Sequence, residues 1–587
     1  MPVKGFLLVF AFFVFTFSVS AQATDDEAAK EKLRRENVLL EQILTDAKNL
    51  RLPENRAFVY AKIGHQLWQT DEKRARLLFQ TAVNELIAAQ TDAETEKGNK
   101  HFLNNLLYGQ SPRWEILSVI ANRDAEYALD AIVKTRPGKL ASAMANYTGD
   151  NQLPSQQYAR SELQNEQRIT AQAADQNPQR AVKLLRESLK KDVTYETFNL
   201  LRKIFQKDSE TANQLAEEVG RKLFDAKLDE NHQDLSLIQN FLGEFGQEKS
   251  KENAAIVVPD GLMRNLADKI VKFTLRPNNR SFYNNDSALK VIEKYFPASV
   301  AQIKQKQEKL QNQNQSEPDR NYSKLMQSEV SSEELLRQAD KFTASYRGEI
   351  YRRAAEKIAQ TGNVSQAQSI LTDNLPDEEL DRYLSQFNYN LANQAISQGK
   401  YEEAVAFVNR ISDENLRLNA LISLATSVYH KNPKENQSRA TAILEQARLL
   451  LPELTEKVAE MNALVTLASG YAQVESAQAF SLIESLTSPL NELSEASAVI
   501  AKYNDGGYFR QGEYQISQGN NSLPIYNLMN ILQTLKAHDF ERTVRFTNNF
   551  NRLDLRISLQ MQLLQFGVSE LPINGSRRNS IHFSRLR

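Results

Sequence analysis

The chain contains no cysteine, and that absence removes several chemistries at once. A disulfide framework, a thiol nucleophile, thiolate ligation of zinc or an iron–sulfur cluster, and a lipid-bearing cysteine are all excluded. Histidine is scarce too. His65, His101, His232, His430, His538 and His582 lie far apart, with no HExxH motif and no pair at helical spacing, so no metal site is expected. Neither sign of charge dominates: 72 Lys and Arg against 73 Asp and Glu leave a formal net charge of −1, and no global field draws the protein to nucleic acid. There is no Gly-rich phosphate loop with its lysine and no GxSxG, so no cofactor and no catalytic residue is assigned. Paired carboxylates such as Glu378-Glu379 and Glu402-Glu403 read as solvated helix starts, because adjacent helix positions point about 100° apart.

Long hydrophobic runs are missing except at the start. "MPVKGFLLVFAFFVFTFSVSAQA" places Lys4 before an apolar run from Gly5 to Val19, followed by the small residues Ala21 and Ala23. This is the pattern of a secretory signal peptide over residues 1–23, cleaved after Ala21 or Ala23. The run is shorter than the roughly 20 residues that span a bilayer. The mature chain is therefore expected to be exported, periplasmic or secreted and bacterial, without an integral membrane segment.

What fills the rest is helical periodicity. Apolar residues recur at three- and four-residue spacing almost everywhere, and alternating strand patterns are few. With 587 residues the chain exceeds the roughly 250–300 at which one core stops growing, so it must be several domains or a repeat array. Self-similarity decides for the array. "AEKIAQTGNVSQAQSIL" from Ala355 and "ANQAISQGKYEEAVAFV" from Ala392 align 37 positions apart, matching Ala355, Gly362 and Ala367 with Ala392, Gly399 and Ala404. Each reads as a helix ended by Gly and followed by a second helix, with small residues that let the two approach closely. The unit returns 139 positions on: "YEEAVAFVNRISDENLRL" from Tyr401 and "FERTVRFTNNFNRLDLRI" from Phe540 share six of eighteen positions, including Leu416 with Leu555 and Arg417 with Arg556. Towards the N-terminus, Arg74-Ala75, Tyr127-Ala128 and Arg180-Ala181 open second helices after short polar turns. A single pair cannot bury its apolar face alone; stacking on neighbours supplies the core.

Gly399, Tyr401, Ala404 and Phe407 in "QGKYEEAVAFV" resemble the tetratricopeptide repeat, although the spacing is 37 rather than about 34 and the terminal Pro is missing. The resemblance implies an all-α, right-handed α-solenoid of antiparallel helix pairs and a role as a scaffold for a protein or peptide partner. Two arcs are expected, residues 24–301 and 326–572, joined by a polar Gln- and Asn-rich linker over residues 302–325. Residues 573–587 form a basic tail with Arg577, Arg578, Arg585 and Arg587, expected to be a solvated end. Two other functions stay open: an enzyme or binding protein acting on envelope glycans, which would need two carboxylates facing each other in a cleft, and self-association through exposed end repeats.

One segment breaks the pattern. "YNDGGYFRQGEYQISQGNN" gathers Tyr503, Tyr508, Phe509, Arg510 and Tyr514 among four glycines. Aromatics with arginine on an insertion suggest a partner-binding surface; the other reading is a small hairpin packed on its own repeat.

Overall fold

A computed structural model describes residues 27, 30–95, 112–149, 153–229, 232–246, 255–277, 279, 285–314, 317–326, 329–452, 457–501, 503, 509–516 and 524–564. The leader and the basic tail lie outside these residues. Helices joined by short turns account for almost all of what is described, with one two-stranded antiparallel ladder, Phe509–Arg510 with Glu513–Tyr514. No helix among the described residues is long and apolar enough to cross a membrane.

The repeated pair is present as read. Helix Asp377–Ser397 ends at Gly399 with φ +71°, and the Gly399 and Lys400 amides donate to the Ile396 and Ala395 carbonyls at 3.0 and 2.9 Å. This double closure needs a left-handed residue, which glycine supplies without a steric penalty. Gly362 does the same after helix Ala344–Gln360, with φ +94°. The second helices then begin alike. Asp71, Asp124, Asn177, Asp208 and Asp539 each accept a hydrogen bond from the backbone amide three residues on, at 2.9–3.1 Å. Such a cap satisfies an amide that the helix cannot.

Four residues beyond the cap position comes the contact that draws the pair together. Ala75, Ala128, Ala181, Ala212, Ala367, Ala404, Ala479 and Thr543 all occupy this place and all are fully buried. In the first pair the partner surface is Gly64 of helix Pro53–Leu67. A Cβ added there would lie 2.8 Å from the Phe79 ring and 3.1 Å from the Ala75 carbonyl oxygen. The two backbones therefore touch with almost nothing between them.

Two compact units result. The smaller comprises the described parts of Met1–Glu85, Asn491–Gly519 and Leu532–Arg587; the larger those of Leu86–Leu490 and Asn520–Ile531. This corrects the expected division into arcs, since residues from both ends of the sequence share one unit. Inside the larger unit, successive helices pack on each other and on the next but one: Asp377–Ser397 on Glu414–Lys431, and that helix on Val458–Val474. The expected linker at residues 302–325 is also corrected. It is occupied by helices Pro297–Asn314 and Glu317–Leu325, because Gln, Lys and Glu are good helix formers and Ile303 and Leu325 bury their side chains from it. The segment does interrupt the core. One buried apolar cluster runs from Ala171 to Ile303 and another from Leu325 to Leu391.

The close approach carries a testable consequence. Ala404→Leu forces three further heavy atoms into a filled contact and is expected to cost about 1–3 kcal/mol. Ala406→Leu, on the exposed face of the same helix, is expected to change stability by less than about 0.5 kcal/mol. Urea denaturation midpoints of the two variants check the difference.

Candidate functional site

The segment singled out for its aromatics is a hairpin embedded in the smaller unit. Gln511 and Gly512 carry φ of +51° and +77°, the pairing of left-handed residues that a two-residue hairpin turn requires to match strand twist. Phe509 pairs across the ladder with Tyr514, and their rings meet edge to face at 5.6 Å. Phe509, Arg510 and Tyr514 are 5%, 6% and 2% exposed. This corrects the expectation that they face a partner. Their apolar area and the Arg510 charge are used inside the unit, on a hairpin that packs against residues 51–55 rather than on its own repeat. Tyr503 is 88% exposed, and Tyr508 lies outside the described residues.

The hairpin grips the start of helix Pro53–Leu67. That helix has an apolar cap residue, Leu52, which offers no side-chain acceptor. The Glu513 carboxylate supplies what is missing, taking the amides of Arg51 and Leu52 and the Asn55 Nδ2 at 2.7 Å. A negative charge at this end also suits the helix dipole. Asn55 donates as well to the Tyr514 carbonyl and accepts from the Ile516 amide. On the other strand Arg510 donates to Glu54, both side chains almost wholly buried. Burial pushes the Glu54 carboxyl up, against the pull of Arg510. From helix Leu553–Leu563, Asp554 accepts the Tyr514 amide and the Arg552 guanidinium, each at 2.6 Å, while Arg552 lies over the Phe509 ring. Residues 51–55, 509–516 and 552–554 thus form one buried polar clasp. Beside it lies a cavity of 440 Å³ bounded by Leu50, Ala498, Val499 and Leu553 and by clasp charges that already have partners.

A second feature belongs to the larger unit. A pocket of 560 Å³ opens among helices Ala125–Lys134, Pro154–Ala173, Pro178–Leu189 and Tyr195–Phe205. Its apolar lining comes from Leu129, Ile132, Leu163, Leu184 and Leu200, with Val133 66% exposed beside them. Below it, Arg113 holds Glu162 through two hydrogen bonds of 3.0 and 3.2 Å and donates to Thr135 and to the Ile132 carbonyl. Arg136 binds both Glu162 and Glu166. Two guanidinium groups and two carboxylates balance there, as buried charges must. Gln167 fixes the adjoining wall, accepting from Thr194 and Thr197 and donating to Ser188. Lys134, Glu187 and Lys191 line the pocket without an ion pair or side-chain hydrogen bond among the described residues. Burial, and then Arg136, lower the Lys191 ammonium from its ordinary value.

No family model and no curated protein matches the sequence. Among solved structures, 91% of the chain aligns with 99% of one described as "Circular tandem repeat protein with novel repeat topology and enhanced subunit contact surfaces", at 14% identity and a TM-score of 0.19. A score that low supports no conclusion about this chain, whose helical repeat architecture rests on its own helices.

The clasp can be tested by charge. Glu54→Met leaves Arg510 buried without its partner and is expected to destabilise the smaller unit by about 3–5 kcal/mol, whereas Glu54→Met with Arg510→Leu costs less than the single change. Hydrogen exchange of peptides from residues 53–67 reads both, and a double variant worse than the single would contradict the assignment.

Proposed function

We propose that the chain is an exported, tetratricopeptide-like scaffold that binds a protein or peptide partner, with the pocket among residues 129–200 as its anchor point. The observation that carries this reading is an apolar wall with charges left unengaged: buried Leu and Ile side chains stand behind the exposed Val133, and Lys134, Glu187 and Lys191 line the pocket without an ion pair among the described residues. An apolar side chain of the partner fits the lining, and the free charges fix its orientation. Export rests on the leader at residues 1–23. Tyr503, 88% exposed, is a second candidate contact.

Self-association through end repeats has less support. Among the described residues of the smaller unit, Arg35 faces Glu541 and the half-hidden Glu36 faces Lys536, each at 3.8 Å, so helices near the two ends of the chain cover one another. A glycan-acting site would need carboxylates opposed across a cleft; one acid pair that the fold assembles, Asp192 and Asp234, is bound to Arg160 instead.

Affinity capture from solubilised envelope tests the proposal, using residues 24–587 and the exposed-site variant Val133→Asp. Stoichiometric proteins retained by the native sequence and lost by the variant are the expected outcome. Retention that is indifferent to Val133→Asp removes the pocket from the reading, and an empty capture removes the scaffold role. Tyr503→Ala in the same assay reports on the second surface.

A further inference from the structure

The bonds of the clasp differ widely in the length of chain that each one closes. Within the hairpin, Phe509 faces Tyr514 across a two-residue turn. The hairpin's bonds to the start of helix Leu553–Leu563 span 40 positions: Tyr514 donates its amide to Asp554, and Arg552 donates to the Gly512 carbonyl. Its bonds to the start of helix Pro53–Leu67 span 456 to 462 positions.

Helix Pro53–Leu67 is itself tied in two ways. From Arg56 onwards it lies on the helix that follows it, Glu72–Thr95: Arg56 pairs with Glu85 at 2.8 Å, Phe79 and Ala75 close on Gly64, and the Trp68 and Phe79 rings stack at 5.7 Å. These contacts span 29 positions or fewer. Residues 51–55 depend on the distant set instead. The Arg51 and Leu52 amides have Glu513 as their acceptor, and every side-chain hydrogen bond of the fully buried Asn55 goes to residues 513–516. Glu54, 2% exposed, accepts from Arg510. Burying this end of the helix before the hairpin arrives would strand a carboxylate, an amide side chain and two backbone amides. Joining distant segments costs entropy that rises with the length of chain between them, and the cost precedes any gain from the contact.

We propose that residues 509–516 are a strap that closes last. The hairpin forms and docks on Asp554, helix Pro53–Leu67 forms on its own pair, and the strap joins the two in a final step that completes the smaller unit. Opening runs in reverse, releasing residues 51–55 and the Ile516 amide while the helical pair stays together. Single amides separate the steps. Tyr514 and Ile516 lie two residues apart, yet the first bonds to Asp554 and the second to Asn55.

Pulse-labelling hydrogen exchange during refolding of the full mature chain from urea, read by mass spectrometry with residue-level fragmentation, tests this order. The Arg51, Leu52 and Ile516 amides are expected to gain protection at one common rate, about tenfold or more slower than the Tyr514 amide and the amides of residues 60–67. In native-state exchange, Glu513→Gln is expected to raise opening at Arg51, Leu52 and Ile516 about tenfold while residues 60–67 keep their protection. Arg51 and Leu52 closing in step with residues 60–67 overturns the proposal, as does Ile516 closing in step with Tyr514. So does a Glu513→Gln chain in which residues 60–67 open as much as Arg51, since the helical pair would then depend on the strap.

Discussion

Eight of the second helices among the described residues depend on one position that carries almost no side chain. The fourth residue of the second helix is Ala or, once, Thr, and none of the eight described examples is exposed at all. Small residues here bring two backbones into contact, and the flanking Leu, Ile and Phe then interlock at the density of a packed interior. The asparagine and aspartate caps that precede this position in five of them set where those second helices begin, so they also fix which face the small residue presents. Shifting the start by one residue would turn the contact by about 100° and place a larger side chain against the neighbour. The cap and the small residue act as one device.

Polar groups decide what the apolar contacts leave undetermined. Packing along the array is repetitive, and a repetitive surface could be stacked in more than one register. Buried charges penalise the alternatives, because a carboxylate or guanidinium removed from its partner loses far more than a methyl group does. Arg113 and Arg136 with Glu162 and Glu166 form a neutral set within the array. Glu54 with Arg510, and Glu513 at the start of helix Pro53–Leu67, do the same where early and late parts of the chain fold together. Arg160 joins Asp192 and Asp234 in the same way, tying helix Pro154–Ala173 to the turn and the helix that follow it.

The proposed scaffold function draws on the same division of labour. Small contacts and balanced buried charges hold the helices, leaving outward side chains free of structural duty. Where several helices meet, as around Leu129, Leu163 and Leu200, their buried apolar rows form the wall of a pocket. Val133 remains at the surface there beside unengaged charges.

Local chemistry was legible in the residues themselves. The helix–Gly–helix grammar of residues 355–408, the equivalence of Tyr401–Val408 with Phe540–Asn548, and the small residues at the contacts all reappear in the fold, because glycine's left-handed turn and helical periodicity are properties of short stretches. The asparagine and aspartate caps before Ala75, Ala128 and Ala181 were also present to be read, three residues ahead of the Arg and Tyr that drew notice. The hairpin shows where such reading ends. Tyr, Phe and Arg look alike in sequence whether they meet a partner or their own chain, and "FRQGEY" gives no sign that the donors to its glutamate lie some 460 positions away. Gln-rich residues 302–325 misled in the opposite direction, since polarity tells of exposure but not of the loss of helix. The sequence by itself determined the helices, their ends and their pairing, all set by interactions within one or two turns. Tertiary structure alone decided the clasp, the pocket and the ion pairs of Arg160, because each is made of groups distant along the chain whose energies depend on burial that no single segment specifies.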